Sequence, residues 1–263
     1  MYPKRYLGWV STGPARDTSP VDVDTGQLAL ACERFADGLL GQPANAVTSL
    51  AFVLAGALIV AGRRGAAGQR LPYALLVVAV GVGSLAQHGP HPPWQAYAHD
   101  LPLATLLAFV AADAAADLTG RRRLGWWLVA PVAMVPVAMV PVAMVPVIVA
   151  GPLASTVAQG LLAAVAIGLN LARARVRPEQ RHTLYRALAV LATGALLGSL
   201  TDRTPLCQPE SLWQGHAGWH LLAAAALWLL APVIGLRGGS SELLAGEPVV
   251  SGGQRVATEA EPV

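Results

Sequence analysis

The chain has 263 residues, of which 54% are hydrophobic and only 13% charged, with a formal net charge of +3. An average soluble domain carries roughly 25% charged residues, so this composition cannot clothe a water-facing surface and calls for lipid as solvent. The slight basic excess does not mark a nucleic-acid partner: one of the eighteen basic residues is lysine, and the arginines lie between apolar segments, not along one face.

Residues 1–44 read as an extracytoplasmic N-terminal segment, and residues 1–41 hold no charged-then-apolar secretory signal, so the first spanning helix is expected to direct insertion. A hydrocarbon core about 30 Å thick needs about 20 apolar residues per helix. Seven stretches meet that need: 45–62, 71–88, 100–118, 124–149, 155–172, 183–201 and 216–236. Backbone polar groups cannot go unpaired in lipid, and none of these stretches alternates polar and apolar as a barrel strand does, so each reads as a helix. The expected fold is an all-α integral membrane protein with a seven-helix domain over 45–236. Within 124–149, PVAMV occurs three times from Pro131 to Val145, and its prolines predict a kinked helix to which no chemistry is assigned. The Gly, Ser, Glu and Pro-rich residues 237–263 read as a disordered tail.

The loops set the orientation. Arg63, Arg64, Arg70, Arg121, Arg122, Arg123, Arg173, Arg175, Arg177 and Arg181 fall in alternate loops, and the loops between, at 89–99, 150–154 and 202–215, hold only Arg203. Ten against one places the Arg-rich loops in the cytoplasm, the N-terminus outside and the C-terminus inside. A bacterial-type plasma membrane is the expected location.

Chemistry concentrates in three places. His216 and His220 are four apart in HAGWH, which puts both imidazoles on one helix face where they can share a metal ion. Ser84 and His88 close the second stretch with the same spacing, and Asp100 opens the third. Taken singly, the serine reads as a packing residue, the histidines as interfacial groups and the aspartate as a first-turn acid favoured by the helix dipole. The topology brings all five to one depth near the extracytoplasmic face, where ionisable groups are costly and usually functional. Three neutral imidazoles with an open position match catalytic zinc. His91 and His99, in the adjoining loop, are reserve ligands. Asp113 and Asp117 read as interfacial partners near Arg121–Arg123.

Five motifs in order carry a family resemblance: CER at Cys32–Arg34, QPANAVTSLAF from Gln42, GVGSLAQH through His88, HDLP at His99–Pro102 and GHAGWH through His220. Across residues 30–236 the chain resembles the alkaline ceramidases, within the wider superfamily of progestin and adipoQ receptors. The resemblance implies a seven-helix fold and an intramembrane zinc held by His88, His216 and His220. It also implies that Asp100 holds or deprotonates the metal-bound water, that Ser84 hydrogen-bonds that water or the developing oxyanion, and that the reaction cleaves the amide of a ceramide-like lipid. The ceramidases carry an acidic pair before Leu-Pro where this chain has His99 and Asp100. Calcium is disfavoured: Glu33 and Asn45 match the family's calcium set, but Gln42 replaces a glutamate and Leu30-Ala31 replaces Asp-Trp. Cys32 and Cys207 fit the resemblance too; both fall outside in the predicted topology, which favours a disulfide over two free thiols. The alternative function is a non-enzymatic receptor or sensor with a structural zinc. A transporter is disfavoured, because mid-helix positions of the second and seventh stretches are mostly Ala, Leu and Val.

Overall fold

A computed structural model describes residues 32–36, 38–120, 145–202 and 205–237. Residues 1–31, most of the 124–149 stretch with its repeat, Arg121–Arg123, Arg203 and the tail from 238 lie outside the described residues. The described residues form six long helices: α1 (Pro43–Ala61), α2 (Ala67–His88), α3 (Gln95–Thr119), α4 (Val145–Val176), α5 (Pro178–Asp202) and α6 (Gly215–Leu230), the last followed by a 3-10 turn (Ala231–Val233). Among the described residues, six helical segments are long and apolar enough to cross a membrane. Each helix packs against its neighbours in sequence, and α6 returns to pack on α1, which closes the described helices into a ring.

Local chemistry explains the helix ends. Pro43 takes the first position of α1, where its missing N–H costs nothing. The neighbouring donors, the N–H groups of Ala44 and Asn45, go to the two carboxylate oxygens of Glu33 at 2.8 and 2.9 Å. At the far end of α3, Gly120 adopts φ +64°, the left-handed conformation that a glycine enters without a Cβ penalty. One expectation is corrected here: α4 runs unbroken through 150–154, where the sequence predicted a turn. A proline inside a helix forfeits a single backbone hydrogen bond, whereas breaking the helix in an apolar surrounding leaves several more unpaired.

Small residues let the helices approach. A Cβ on Gly83 of α2 would collide with the Ala98 carbonyl oxygen of α3, so the two backbones touch beside Ser84 and His99. Tyr73, Phe109, Ile59, Leu106, Val77 and Leu184 fill the interior, with Tyr73 and Phe109 stacked at 6.0 Å and the Tyr73 hydroxyl donating to the Leu227 carbonyl at 2.8 Å.

The Arg-rich end holds a buried ion network. Asp113 and Asp117 lie one turn apart on α3, and Arg173 and Arg177 one turn apart on α4. Arg173 is fully buried and pairs with Asp113 at 3.1 Å and with Asp117 at 2.9 Å, and it also donates to the Val233 carbonyl at 2.7 Å. Arg177 reaches Asp117 and Arg237 reaches Asp113, each at 3.3 Å, while the Gly235 N–H donates to Asp113 at 3.0 Å. Arg121–Arg123, the neighbours expected for the two aspartates, lie outside the described residues. Their carboxylates are wholly enclosed, and a charge so placed needs partners such as Arg173 of the facing helix.

Candidate metal centre

At the opposite end, the last residue of α2 meets the first two turns of α6. The centroid of the His88 ring lies 5.1 Å from that of His216 and 5.1 Å from that of His220, and the last two are 4.7 Å apart. The rings meet at 58°, 58° and 71°, so His88 is tilted against the other two, His216 and His220 meet edge-on, and none stack. One nitrogen from each ring lies within 4.8 Å of the other two, and among the described residues no carboxylate or thiol joins the group. A tetrahedral ion with bonds of about 2.1 Å sets its ligand atoms about 3.4 Å apart, so modest closure suffices to seat one. His88 and His220 are buried and His216 is half-buried.

Hydrogen bonds fix which nitrogen can bind. The Gln42 amide donates its Nε2–H to the Glu33 carbonyl at 2.6 Å, which turns its Oε1 toward His88 Nδ1, also at 2.6 Å. An amide oxygen only accepts, so His88 Nδ1 carries the proton and Nε2 keeps its lone pair. His220 follows the same logic: Nδ1 lies 3.1 Å from the Asn45 carbonyl, which only accepts, and Nε2 is left as the ligand atom. Metal-ligating histidines characteristically donate the other ring N–H to such a partner, which sets tautomer and ring orientation. The donor set therefore fits a divalent ion.

The hydroxyls of Thr48 and Ser49 donate to backbone carbonyls one turn back, those of Ala44 and Asn45, at 2.7 Å each, and both oxygens border His220 Nδ1, at 3.2 and 3.5 Å. Ser84 is buried, with its Oγ 2.9 Å from Ser49 Oγ and 3.3 Å from His220 Nε2. Its single proton can therefore serve either neighbour.

The remaining sequence-predicted residues fall around this centre. Asp100 does not belong to the histidine group; its Oδ1 accepts from His99 Nδ1 at 2.8 Å and its Oδ2 from the Ser155 hydroxyl at 2.6 Å. His91 also stands apart, its Nδ1 donating to the Gln87 carbonyl at 2.8 Å and its ring edge-on to Phe35. Glu33 and Asn45 are brought together, but both Glu33 oxygens are taken by the first turn of α1, which gives the carboxylate a capping role. The Asn45 side-chain amide is fully buried, and neither of its polar atoms has a hydrogen-bond partner among the described residues.

Cys32 and Cys207, 175 residues apart, form a disulfide. It ties the Glu33 segment to the loop before α6, reinforced by the Arg34 N–H donating to the Pro209 carbonyl at 3.1 Å and by an exposed Arg34–Glu210 ion pair. The chain that carries Glu33 and Gln42 is thus fastened beside both histidine-bearing helices.

Sequence reasoning missed Thr48, Ser49 and Ser155, and the contact that Gln42 makes with His88. Gln42, Thr48 and Ser49 lay inside the motif QPANAVTSLAF, and positions 42, 45, 48 and 49 recur at helical spacing along one face. That polar stripe in an otherwise apolar helix was the available signal. No model of a known protein family matches the chain, and no curated protein sequence matches it.

Proposed function

We propose that this chain is a zinc-dependent intramembrane hydrolase that cleaves the amide bond of ceramide-like lipids, built on seven spans with its N-terminus and metal site toward the extracytoplasmic face. The observation that carries the reading is the group of three converging imidazoles, two of them held with Nε2 unprotonated by Nδ1 donation to Gln42 and to the Asn45 carbonyl. Imidazole nitrogens are borderline donors suited to zinc, and three protein ligands with a further position open is the arrangement of catalytic sites, whereas structural sites are closed by four. That count favours an enzyme over a receptor stapled by metal.

A bound zinc supplies an acidified water and polarises a carbonyl, the two things an unreactive amide needs. The chain's own groups supply the rest. His88, His216 and His220 would hold the ion. Ser84, beside His220 Nε2, is placed to donate to the oxygen that gains charge. Acid–base work falls to the His99–Asp100 pair. The motif resemblance to the alkaline ceramidases supports a ceramide-like substrate, and so does the site's place at one end of apolar helices, the depth at which a lipid carries its amide. Segregation of Arg63, Arg64, Arg70, Arg173, Arg175, Arg177, Arg181 and Arg237 to the opposite end supports the orientation.

The test is direct. Purified protein in detergent with a fluorescent ceramide is expected to release fatty acid, to stop when a chelator strips the metal and to resume when zinc is returned. Zinc-loaded protein that leaves every amide lipid intact would contradict the hydrolase reading and favour the receptor.

A further inference from the structure

An acid–base group in this site needs an atom that can take a proton, a partner that fixes its form, and a position near the metal ligands. Asp100 meets the first condition poorly. One of its oxygens accepts from His99 at 2.8 Å and the other from Ser155 at 2.6 Å, so both are already engaged. The Ser155 oxygen in turn accepts from Gln159 Nε2 at 3.1 Å, one turn further along α4, which commits the serine proton to the carboxylate. The result is a braced carboxylate aimed at an imidazole.

His99 meets all three conditions. Its Nδ1 faces a carboxylate that only accepts, so Nδ1 holds the proton and Nε2 carries the lone pair; among the described residues nothing bonds that Nε2. Its backbone rests against Gly83, next to Ser84, because no Cβ separates α2 from α3 there.

We propose that His99, oriented by Asp100 and Ser155, is the group that takes and returns the proton during amide cleavage. This rests on the hydrolase reading above and assigns its acid–base role. The water that adds to the carbonyl carbon gives one proton to His99 Nε2. The C–N bond then breaks with its electron pair passing to nitrogen, and that nitrogen takes the proton from Nε2. The carboxylic acid formed transfers its remaining proton to the amine, so carboxylate and ammonium leave and His99 is neutral again. Asp100 and Ser155 are positioning residues in this scheme: they hold the ring and its tautomer without touching the lipid.

The experiment compares wild type with His99→Gln, His99→Asn, Asp100→Asn and Ser155→Ala as full chains in detergent, measuring zinc content, fluorescent-ceramide turnover and the 15N spectrum of labelled histidine. Both His99 variants are expected to keep wild-type zinc and lose about 10²-fold or more of kcat, the usual contribution of a positioned acid–base group. Asp100→Asn is expected to keep zinc, to lose turnover and to move the His99 proton off Nδ1, a spectral change that a merely structural carboxylate would not produce. Ser155→Ala is expected to lower kcat with KM unchanged. Turnover within about threefold of wild type in both His99 variants overturns the proposal, since general acid–base groups contribute far more; so does loss of zinc in both, or an Nε2–H tautomer in wild type. Those outcomes leave the hydrolase reading standing. Zinc-loaded wild type that cleaves no amide overturns that reading itself, and the role of His99 falls with it.

Discussion

Removing the Gln42 side chain isolates one orienting contact of the histidine cluster. Gln42 accepts from His88 Nδ1 at 2.6 Å and donates to the Glu33 carbonyl at 2.6 Å. The backbone around it is held independently, by Gly41 N–H to the Gly89 carbonyl at 3.1 Å and Gln42 N–H to the His88 carbonyl at 2.7 Å. Gln42→Ala therefore leaves the chain in place while stripping the buried imidazole of its acceptor. Without that acceptor His88 is free to carry its proton on Nε2, the atom a metal needs, so each binding event must first reverse the tautomer. Loss of such a partner weakens metal affinity by about 10- to 100-fold, which corresponds to about 1.4 to 2.7 kcal/mol. Gln42→Glu keeps an acceptor for His88 but sets a carboxylate against the Glu33 carbonyl, so an intermediate loss is expected. The assay is a competition titration of zinc between the detergent-solubilised protein and a chelator of known affinity, beside the melting temperature of the metal-free protein. If Gln42→Ala melts like wild type and binds zinc within about twofold of it, the tautomer argument is refuted, because an orienting partner is worth more than that.

Three further outcomes are expected. Arg173→Ala leaves Asp113 and Asp117 charged and enclosed, and removing one partner of a buried pair costs about 3 to 5 kcal/mol; denaturant titration in detergent should show that loss, and a change under about 1 kcal/mol would place the network near solvent after all. A membrane-impermeant reductant followed by an impermeant maleimide should label Cys32 and Cys207 in intact cells, and labelling that requires lysis would reverse the proposed orientation. Stripping metal from the wild type should lower its melting temperature, since a ligand bound only by the folded state stabilises it by mass action; His216→Ala should melt alike with and without chelator.

The helices were legible because apolar length is a property of the chain itself. The stretch at 45–62 became Pro43–Ala61, and that at 216–236 became Gly215–Leu230 with its 3-10 turn. Other ends fell short of the true helices: Ala67–Arg70, Gln95–His99 and Pro178–His182 are helical yet too polar to count as span. Hydropathy reads side chains, whereas a helix continues for as long as its backbone bonds are worth keeping. The histidines were legible by their spacing of four. Their partners were not, because Gln42 lies 46 residues from His88 and Asp113 lies 60 from Arg173. Such pairs are chosen by which helices pack together, and no local pattern in the sequence encodes that choice.

The central claim is that His88, His216 and His220 jointly hold one ion, and elemental analysis of purified protein tests it without knowing any substrate. The account predicts about one zinc per chain in wild type, as a three-histidine site implies, and its loss when any one of the three is changed to alanine in a protein that still folds. Wild-type protein free of metal after exposure to zinc, or alanine variants that retain it, would contradict the account.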